Sequence, residues 1–237
     1  AGEQRILVTA DLHMGIETDL RRHGIHLRSR GEDRIARLLA LVRDVSPDIL
    51  LMLGDIKHRV PGTSWQEFRE LPPLFSRLRT LTSIRVTPGN HDPGIEEFLR
   101  PGELLPRDGS VLDEFGCMHG HTRPDSSLAG HLILAGHHHP VVALSDGVGV
   151  ALRSPCYILG ELRDDLFGPP PPDERTSRIL LVPAFNEFSG YSIEKTFRSP
   201  FSPLSRAVVQ ETAECLLSDG TYGGDLMSLI NHDISGT

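Results

Sequence analysis

Cysteine is scarce. Only Cys117, Cys156 and Cys215 occur, too few and too scattered for a disulfide framework, which makes a reduced, cytoplasmic protein the expectation. Long apolar runs are missing as well: none approaches the roughly 18 residues of a membrane span, so no membrane partner is expected. The opening Ala1-Gly2-Glu3-Gln4-Arg5 lacks a basic region followed by an apolar stretch, and no signal peptide is expected there. Positive charge is in deficit, with 24 Lys and Arg against 32 Asp and Glu and a formal net charge of −8. That excludes a broad basic surface for nucleic acid, but not a local positive site made by bound metal ions. No internal repeat is visible, and no capping domain, aromatic platform or basic stripe follows the central part of the chain. What remains is an ordinary globular composition, 38% hydrophobic and 24% charged, over 237 residues. This length suits one large α/β domain or two small ones.

Histidine is the informative abundance. Eight of the twelve, His13, His58, His91, His119, His121, His137, His138 and His139, sit in or beside turns containing glycine or aspartate. The other four, His23, His26, His131 and His232, have no such context and read as surface or structural residues.

Residues 5–10 form a β-rich apolar run that ends in Asp11-Leu12-His13. On an extended segment residues i and i+2 share a side, so Asp11 and His13 can face one metal. Residues 14–31 read as a long polar loop carrying Arg21, Arg22, Arg28 and Arg30, either a solvated face or contacts to a substrate phosphate. Ile35, Leu38, Leu39, Val42 and Val45 make a helical stripe over 32–46. Residues 48–53 are the continuous apolar run of a strand covered on both faces, ending in Gly54-Asp55. Ser64 and Glu67 have the form of a capping box. The helix they open is expected to bury Trp65, Phe68 and Leu71 and to be broken or restarted at Pro72-Pro73. A strand over 84–87 delivers Gly89-Asn90-His91-Asp92, and a short helix follows around Ile95–Leu99. Strand or hairpin material over 110–118 ends at His119-Gly120-His121. Residues 131–135 end at Gly136-His137-His138-His139. Hairpins are expected over 141–160, a proline-rich loop over 164–178 and a further strand over 179–182.

Five expected strands therefore end in Asp11-x-His13, Gly54-Asp55, Gly89-Asn90-His91-Asp92, His119-Gly120 and Gly136-His137-x-His139. Ligands of open α/β sheets gather beyond the carboxyl ends of strands, so these loops can converge. Aspartate, histidine and asparagine without cysteine suit Mn²⁺, Fe or Zn²⁺. Seven candidate ligands are too many for one metal with room for substrate. Two metals at roughly 3.5–4 Å with a bridging carboxylate accommodate them.

These residues resemble the calcineurin-like metallophosphoesterase superfamily, whose pattern is D-x-H, G-D, G-N-H-D/E, H and G-H-x-H, over residues 6–140. The resemblance implies a four-layer α/β sandwich of two mixed β-sheets flanked by helices, within a domain over 1–198. Residues 199–237 are read as a C-terminal extension that packs on the core or on a neighbouring chain. It implies one metal held by Asp11, His13, Asp55 and His139 and a second held by Asp55, Asn90, His119 and His137. Manganese is the expected ion, with iron, zinc or nickel as alternatives. Asp11-Leu12-His13-Met14-Gly15-Ile16-Glu17, Gly54-Asp55-Ile56-Lys57-His58, His137-His138-His139-Pro140, Ser154-Pro155-Cys156 and Val182-Pro183-Ala184-Phe185 are similar to a small archaeal and bacterial phosphoesterase subfamily. That subfamily includes a DNA-ligase-associated phosphoesterase.

The expected chemistry is attack on a phosphodiester by a hydroxide activated between the metals. His91 would stabilise the transition state or protonate the leaving oxygen, with Asp92 orienting its ring. Lys57, His58, Arg59, His121 and Arg123 are candidate substrate contacts, with a solvated rim as the competing reading. His138 is left out of the ligand set. A nuclease or nucleotide phosphodiesterase linked to DNA repair is the leading expectation, with DNA, RNA or a nucleotide as substrate. A phosphomonoesterase or nucleotidase and a non-catalytic scaffold of the same fold are the alternatives.

Overall fold

A computed structural model describes residues 4–145, 151–168 and 175–231. Strands β1 (Ile6–Thr9), β2 (Ile49–Met52) and β3 (Ser83–Val86) form a parallel sheet in that order. Helices α1 (Ile16–Arg22) and α2 (Gly31–Val45) connect β1 to β2, and α3 (Trp65–Leu78) connects β2 to β3. The unbroken apolar run of β2 has two destinations, because successive strand residues face opposite ways. Leu50 and Met52 pack with Leu38, Leu39 and Val42 of α2 and with Leu71, Leu74 and Phe75 of α3. Leu51 and the following Leu53 pack the other way, against Cys117 and Leu134.

Cys117 and Leu134 belong to a second sheet. Its strands are β4 (Ser110–Leu112), β5 (Phe115–Met118), β6 (Leu132–Ala135), β7 (Pro140–Ser145), β8 (Ala151–Leu162), β9 (Arg178–Leu181) and β10 (Tyr191–Ser192). They run in spatial order β10-β7-β8-β9-β6-β5-β4. Mixed pairing is confined to this sheet: β5, β6 and β9 are parallel neighbours, whereas β8 is antiparallel to β7 and β9. Helices α4 (Ile193–Arg198), α5 (Pro203–Ala207) and α6 (Leu226–Asn231) put Phe197, Leu204, Leu226 and Ile230 into one core with Ile133, Ile158 and Ile179. The layers are helix, sheet, sheet, helix. After Ser199 the chain also supplies β11 (Val208–Leu217), antiparallel to β8, and β12 (Tyr222–Asp225), which pairs with β11.

Several local expectations change. The stretch 14–31 is not all loop: it contains α1, and Met14 forms a β-bridge with Lys57. Ser64 and Glu67 do close a capping box, but α3 then runs unbroken through Pro72 and Pro73. The carbonyls that lose a donor there belong to the exposed residues Phe68 and Arg69, while Leu71, Leu74, Phe75 and Leu78 keep one buried stripe. That stripe begins at Glu67, so Trp65 and Phe68 stay outside, 73% and 51% exposed. Residues 146–150 of the hairpins expected over 141–160, and residues 169–174 of the expected proline-rich loop, lie outside the described residues.

Candidate metal centre

Five parallel strands deliver the five motifs to one edge of the sandwich, Asp11 after β1, Asp55 after β2, Asn90 after β3, His119 after β5 and His137 after β6. The loops leave the strands in a costly conformation. Among the described residues seven non-glycine positions have positive φ, and five of them are Asp11 (55°), His13 (45°), Asp55 (48°), His137 (67°) and His139 (41°). A left-handed backbone costs about 1–2 kcal/mol per residue, and such strain concentrates at functional sites. Asp11 and His13 thus converge because both are left-handed, not because they alternate along an extended strand.

Two glycines permit the close approach of these loops. Gly54 has φ 76°, and a Cβ there would lie 2.6 Å from His119 Nδ1. Gly89 has no unusual φ; a Cβ on it would meet Asp55 Oδ1 at 2.0 Å. Its role is proximity to Asp55 rather than the turn itself.

The convergence produces two adjoining groups of ligand atoms, beside a third cluster of imidazoles, His13, His58 and His91. Asp11, His13, Asp55 and His139 can each aim an atom within 4.8 Å of the others, and so can Asp55, His119 and His137. Asp55 belongs to both. Asn90 joins the second group, its Oδ1 3.2 Å from His119 Nε2. The opposite ring nitrogen of His119, Nδ1, donates to the Leu53 carbonyl at 2.7 Å. That tautomer turns the Nε2 lone pair toward Asn90 Oδ1 and toward Asp55 Oδ2 at 3.4 Å. Three acceptors then face one point, which only a proton or a cation can satisfy. Likewise His139 Nε2 is buried with no hydrogen-bond partner, 3.0 Å from Asp11 Oδ1. The donor set fits two divalent cations bridged by Asp55.

The electrostatics agree. Burial opposes a charge on His119, but Asp55 and then Asp11 outweigh it and raise its pKa to about 9 in the cation-free protein. Burial also opposes the charge on Asp55, yet His119 and His13 hold that carboxyl below its usual range. His137 is pushed down to about 2 by burial and by the neighbouring charge of His119, and burial lowers His13. These rings are kept neutral, the form a metal binds.

His91 reaches the same basin beside His13, Asp55 and Asn90. Its amide donates to Asp55 Oδ1 at 2.8 Å, and its ring Nδ1 hydrogen-bonds the His58 carbonyl. The expectation that Asp92 orients this ring is corrected. Asp92 Oδ1 accepts from the amides of Ile56 and Lys57 at 2.9 and 3.1 Å, and Oδ2 accepts from Gly89 at 2.8 Å. The buried carboxylate ties the loop after β2 to the loop after β3 and does not hydrogen-bond the His91 ring. Burial and then the nearby Asp55 raise its pKa to about 6.

The candidate substrate contacts separate. His58 and Arg59 stand together over a hollow beside His91, with Arg22 opposite. Lys57 is fully buried and donates its Nζ to the carbonyls of Arg59 and Gly62, so it fastens the loop instead of facing a ligand. His121 flanks the second ligand group, 5.2 Å ring to ring from His119, and accepts from Arg107 Nε at 3.0 Å. Arg123 spends its guanidinium on the carbonyls of Asp165 and Leu166 and lines a different hollow. His138 is buried between the Gly136 carbonyl and Ser202 Oγ, 2.7 Å away, and anchors the C-terminal segment to the ligand loop.

Sequence reasoning passed over four residues. Asn186 Nδ2 donates to the Leu12 carbonyl at 2.8 Å and clasps the Asp11–His13 loop; its position just after Val182-Pro183-Ala184-Phe185 was the available signal. Phe188, Tyr191 and Phe201 are half-exposed and line the basin, with Tyr191 stacked on His139 and Phe201 edge-on to His137. Nothing local distinguishes these aromatics, since they approach the ligands only through the second sheet and the segment after Ser199.

A family model for calcineurin-like phosphoesterases matches residues 4–166. No curated protein matches the chain significantly. Among solved structures, nuclease MPE of Pseudomonas putida is similar at 22% identity and a TM-score of 0.54, over 90% of this chain and 83% of that one. YfcE, a phosphoesterase from E. coli, overlaps at 16% identity and a TM-score of 0.37, over 63% of this chain and 86% of that one.

Proposed function

The chain belongs to the calcineurin-like phosphoesterase family, and from that premise we propose that it hydrolyses phosphodiesters with two manganese ions. Asp11, His13, Asp55 and His139 would hold one ion, and Asp55, Asn90, His119 and His137 the other. The observation that carries the reading is the pair of adjoining ligand groups sharing Asp55. Bound there, two divalent cations lower the pKa of a water and draw in the anionic phosphate. The protein's own groups do the rest. Asp55 and the amide of His91 are joined at 2.8 Å, which fixes the imidazole at the rim of the same basin. With Nδ1 donating to the His58 carbonyl, Nε2 of His91 carries the second proton only in the imidazolium form, the form that would donate to a phosphate oxygen or to the leaving oxygen.

The basin favours a diester because it has walls on two sides. Phe188, Tyr191 and Phe201 form an aromatic wall, and Arg22, His58 and Arg59 lie beyond His91. A phosphorus between them has room for an organic group in either direction, and the aromatic side suits a nucleobase. A nuclease or nucleotide phosphodiesterase working on cytoplasmic nucleic acid, in repair, is the role we assign; the nuclease description of the P. putida protein is in keeping with it. No helix among the described residues is long and apolar enough to cross a membrane.

The test compares bis(p-nitrophenyl) phosphate with p-nitrophenyl phosphate after metal stripping and manganese addition. We expect faster diester turnover and two metals per chain, with Asp55→Ala emptying at least one site. Preferential monoester hydrolysis would replace this reading with that of a phosphomonoesterase. Two metals retained by Asp55→Ala would reject the bridge.

A further inference from the structure

Beside the metal basin, and sharing Phe188 with it, runs an open groove of about 840 Å³ between the α1–α2 connection and the first turns of α3. Its most conspicuous wall is Trp65, which is 73% exposed although it is the largest apolar side chain in the protein. The indole lies off the buried stripe of α3, which begins at Glu67, and so presents its face to the groove. Arg69 lies over the ring, its guanidinium 4.6 Å from the centroid. Arg21, Arg28 and Arg30 line the facing side.

The charges in the groove are not balanced against each other. Of its three carboxylates, Glu70 accepts from Ser29 and Gln66 through Oε1 while its Oε2 has no partner, Asp33 meets Arg30 at 3.8 Å, and Glu32 meets Arg77 at 3.5 Å. Arg21 and Arg28 are exposed, and among the described residues neither guanidinium makes a hydrogen bond or ion pair. Exposed Arg22 and half-buried Arg59 likewise have no side-chain partner among the described residues, in the neighbouring hollow that shares Thr18 with the groove and reaches His91. Uncommitted guanidinium groups therefore continue from the metal basin to an exposed indole.

We propose that this groove is a second binding site, which takes the flank of a single-stranded polynucleotide several nucleotides from the scissile phosphate. An unpaired base stacks on Trp65, and Arg21 and Arg28 meet the phosphates on either side. A π-face beside free cations is the combination that single strands require, and a base in a duplex cannot offer its face to the indole. The site also answers how a chain of net charge −8 holds a polyanion: it gathers several arginines in one groove. The proposal rests on the phosphodiesterase reading for its purpose, but not for its detection.

Trp65 is the only tryptophan, so its fluorescence reports the groove directly. Metal-stripped protein is titrated with a twelve-residue oligothymidylate, with a duplex of the same length and with inorganic polyphosphate. Saturable, salt-sensitive quenching by the single strand alone is expected, weakened about tenfold or more in Arg21→Ala/Arg28→Ala. With manganese restored, Trp65→Ala should raise KM for the oligonucleotide roughly 5- to 100-fold, the range of a lost base–aromatic stack. Its kcat and its hydrolysis of bis(p-nitrophenyl) phosphate should be unchanged, and Trp65→Phe should recover most of the KM. No quenching, equal quenching by duplex or polyphosphate, or a wild-type KM in Trp65→Ala would overturn the groove. If the wild type quenches but cleaves no phosphodiester, the groove stands and the proposed reaction falls.

Discussion

A Cβ on Gly89 would sit 2.0 Å from Oδ1 of Asp55 and 2.4 Å from its backbone nitrogen. The glycine therefore lets the loop after β3 lie directly against the carboxylate shared by both ligand groups. Gly89→Ala must push Asp55 aside, at about 1–3 kcal/mol for an overpacked site. We expect it to retain at most one metal by elemental analysis and to melt at a lower temperature. Gly94→Ala is the control: φ is 89° and nothing lies within 4 Å, so it bears backbone strain but should keep both metals.

Asp92 binds three backbone amides, from Ile56, Lys57 and Gly89. Asp92→Ala leaves these buried donors unpaired, at about 1–3 kcal/mol for each one fully lost. Urea denaturation should show a large loss of stability, with a smaller loss in Asp92→Asn, which keeps one carbonyl oxygen. A fall in kcat with unchanged stability would instead point to a direct action on the His91 ring.

His91→Ala removes an imidazole that belongs to neither of the two ligand groups joined by Asp55. Metal content should stay at two per chain while kcat falls about 10²- to 10⁴-fold, the usual span for a lost general acid or base. Full activity, or loss of metal, would assign the ring another role.

His119 links the site to pH. Its pKa in the cation-free protein is raised from 6.5 to about 9. Its protonated form therefore stabilises the apo fold fully below about pH 6.5, and that contribution disappears as pH rises through about 9. A cation must displace the same proton, so manganese affinity should rise about tenfold per pH unit between pH 7 and 9. Calorimetry in buffers of different ionisation enthalpy should record a proton released on binding in that window. An affinity flat across it would show that the Nε2 of His119 is not a ligand.

The chemistry was legible in the chain because it is local. Each candidate ligand lies within four residues of the end of an apolar strand, and parallel strands carry such ends to one edge. The two-sided burial of β2 was equally readable, because an unbroken Ile49–Met52 run has only one way to be buried. The errors came where distant contacts decide. Asp92 stands next to His91 in sequence, but its Oδ1 is taken by amides 35 and 36 residues away and its Oδ2 by the amide of Gly89. Lys57 looked like a cation for a phosphate until the fold turned it inward to two carbonyls. Trp65 and Phe68 looked like core until the stripe of α3 proved to begin at Glu67.

By itself the sequence determined which residues form the two candidate ligand groups, since donor type and strand-end position are properties of short segments. Only the tertiary structure decided what surrounds these groups. Phe188 and Tyr191 lie more than 50 residues beyond His137, and Phe201 lies 64 beyond it; the second sheet and the segment after Ser199 bring them to the basin. Trp65 and Arg28 face one groove because α3 and the α1–α2 connection pack side by side. Coordination is encoded within a few bonds of each ligand, whereas the walls that select a substrate are made by surfaces that meet only after folding.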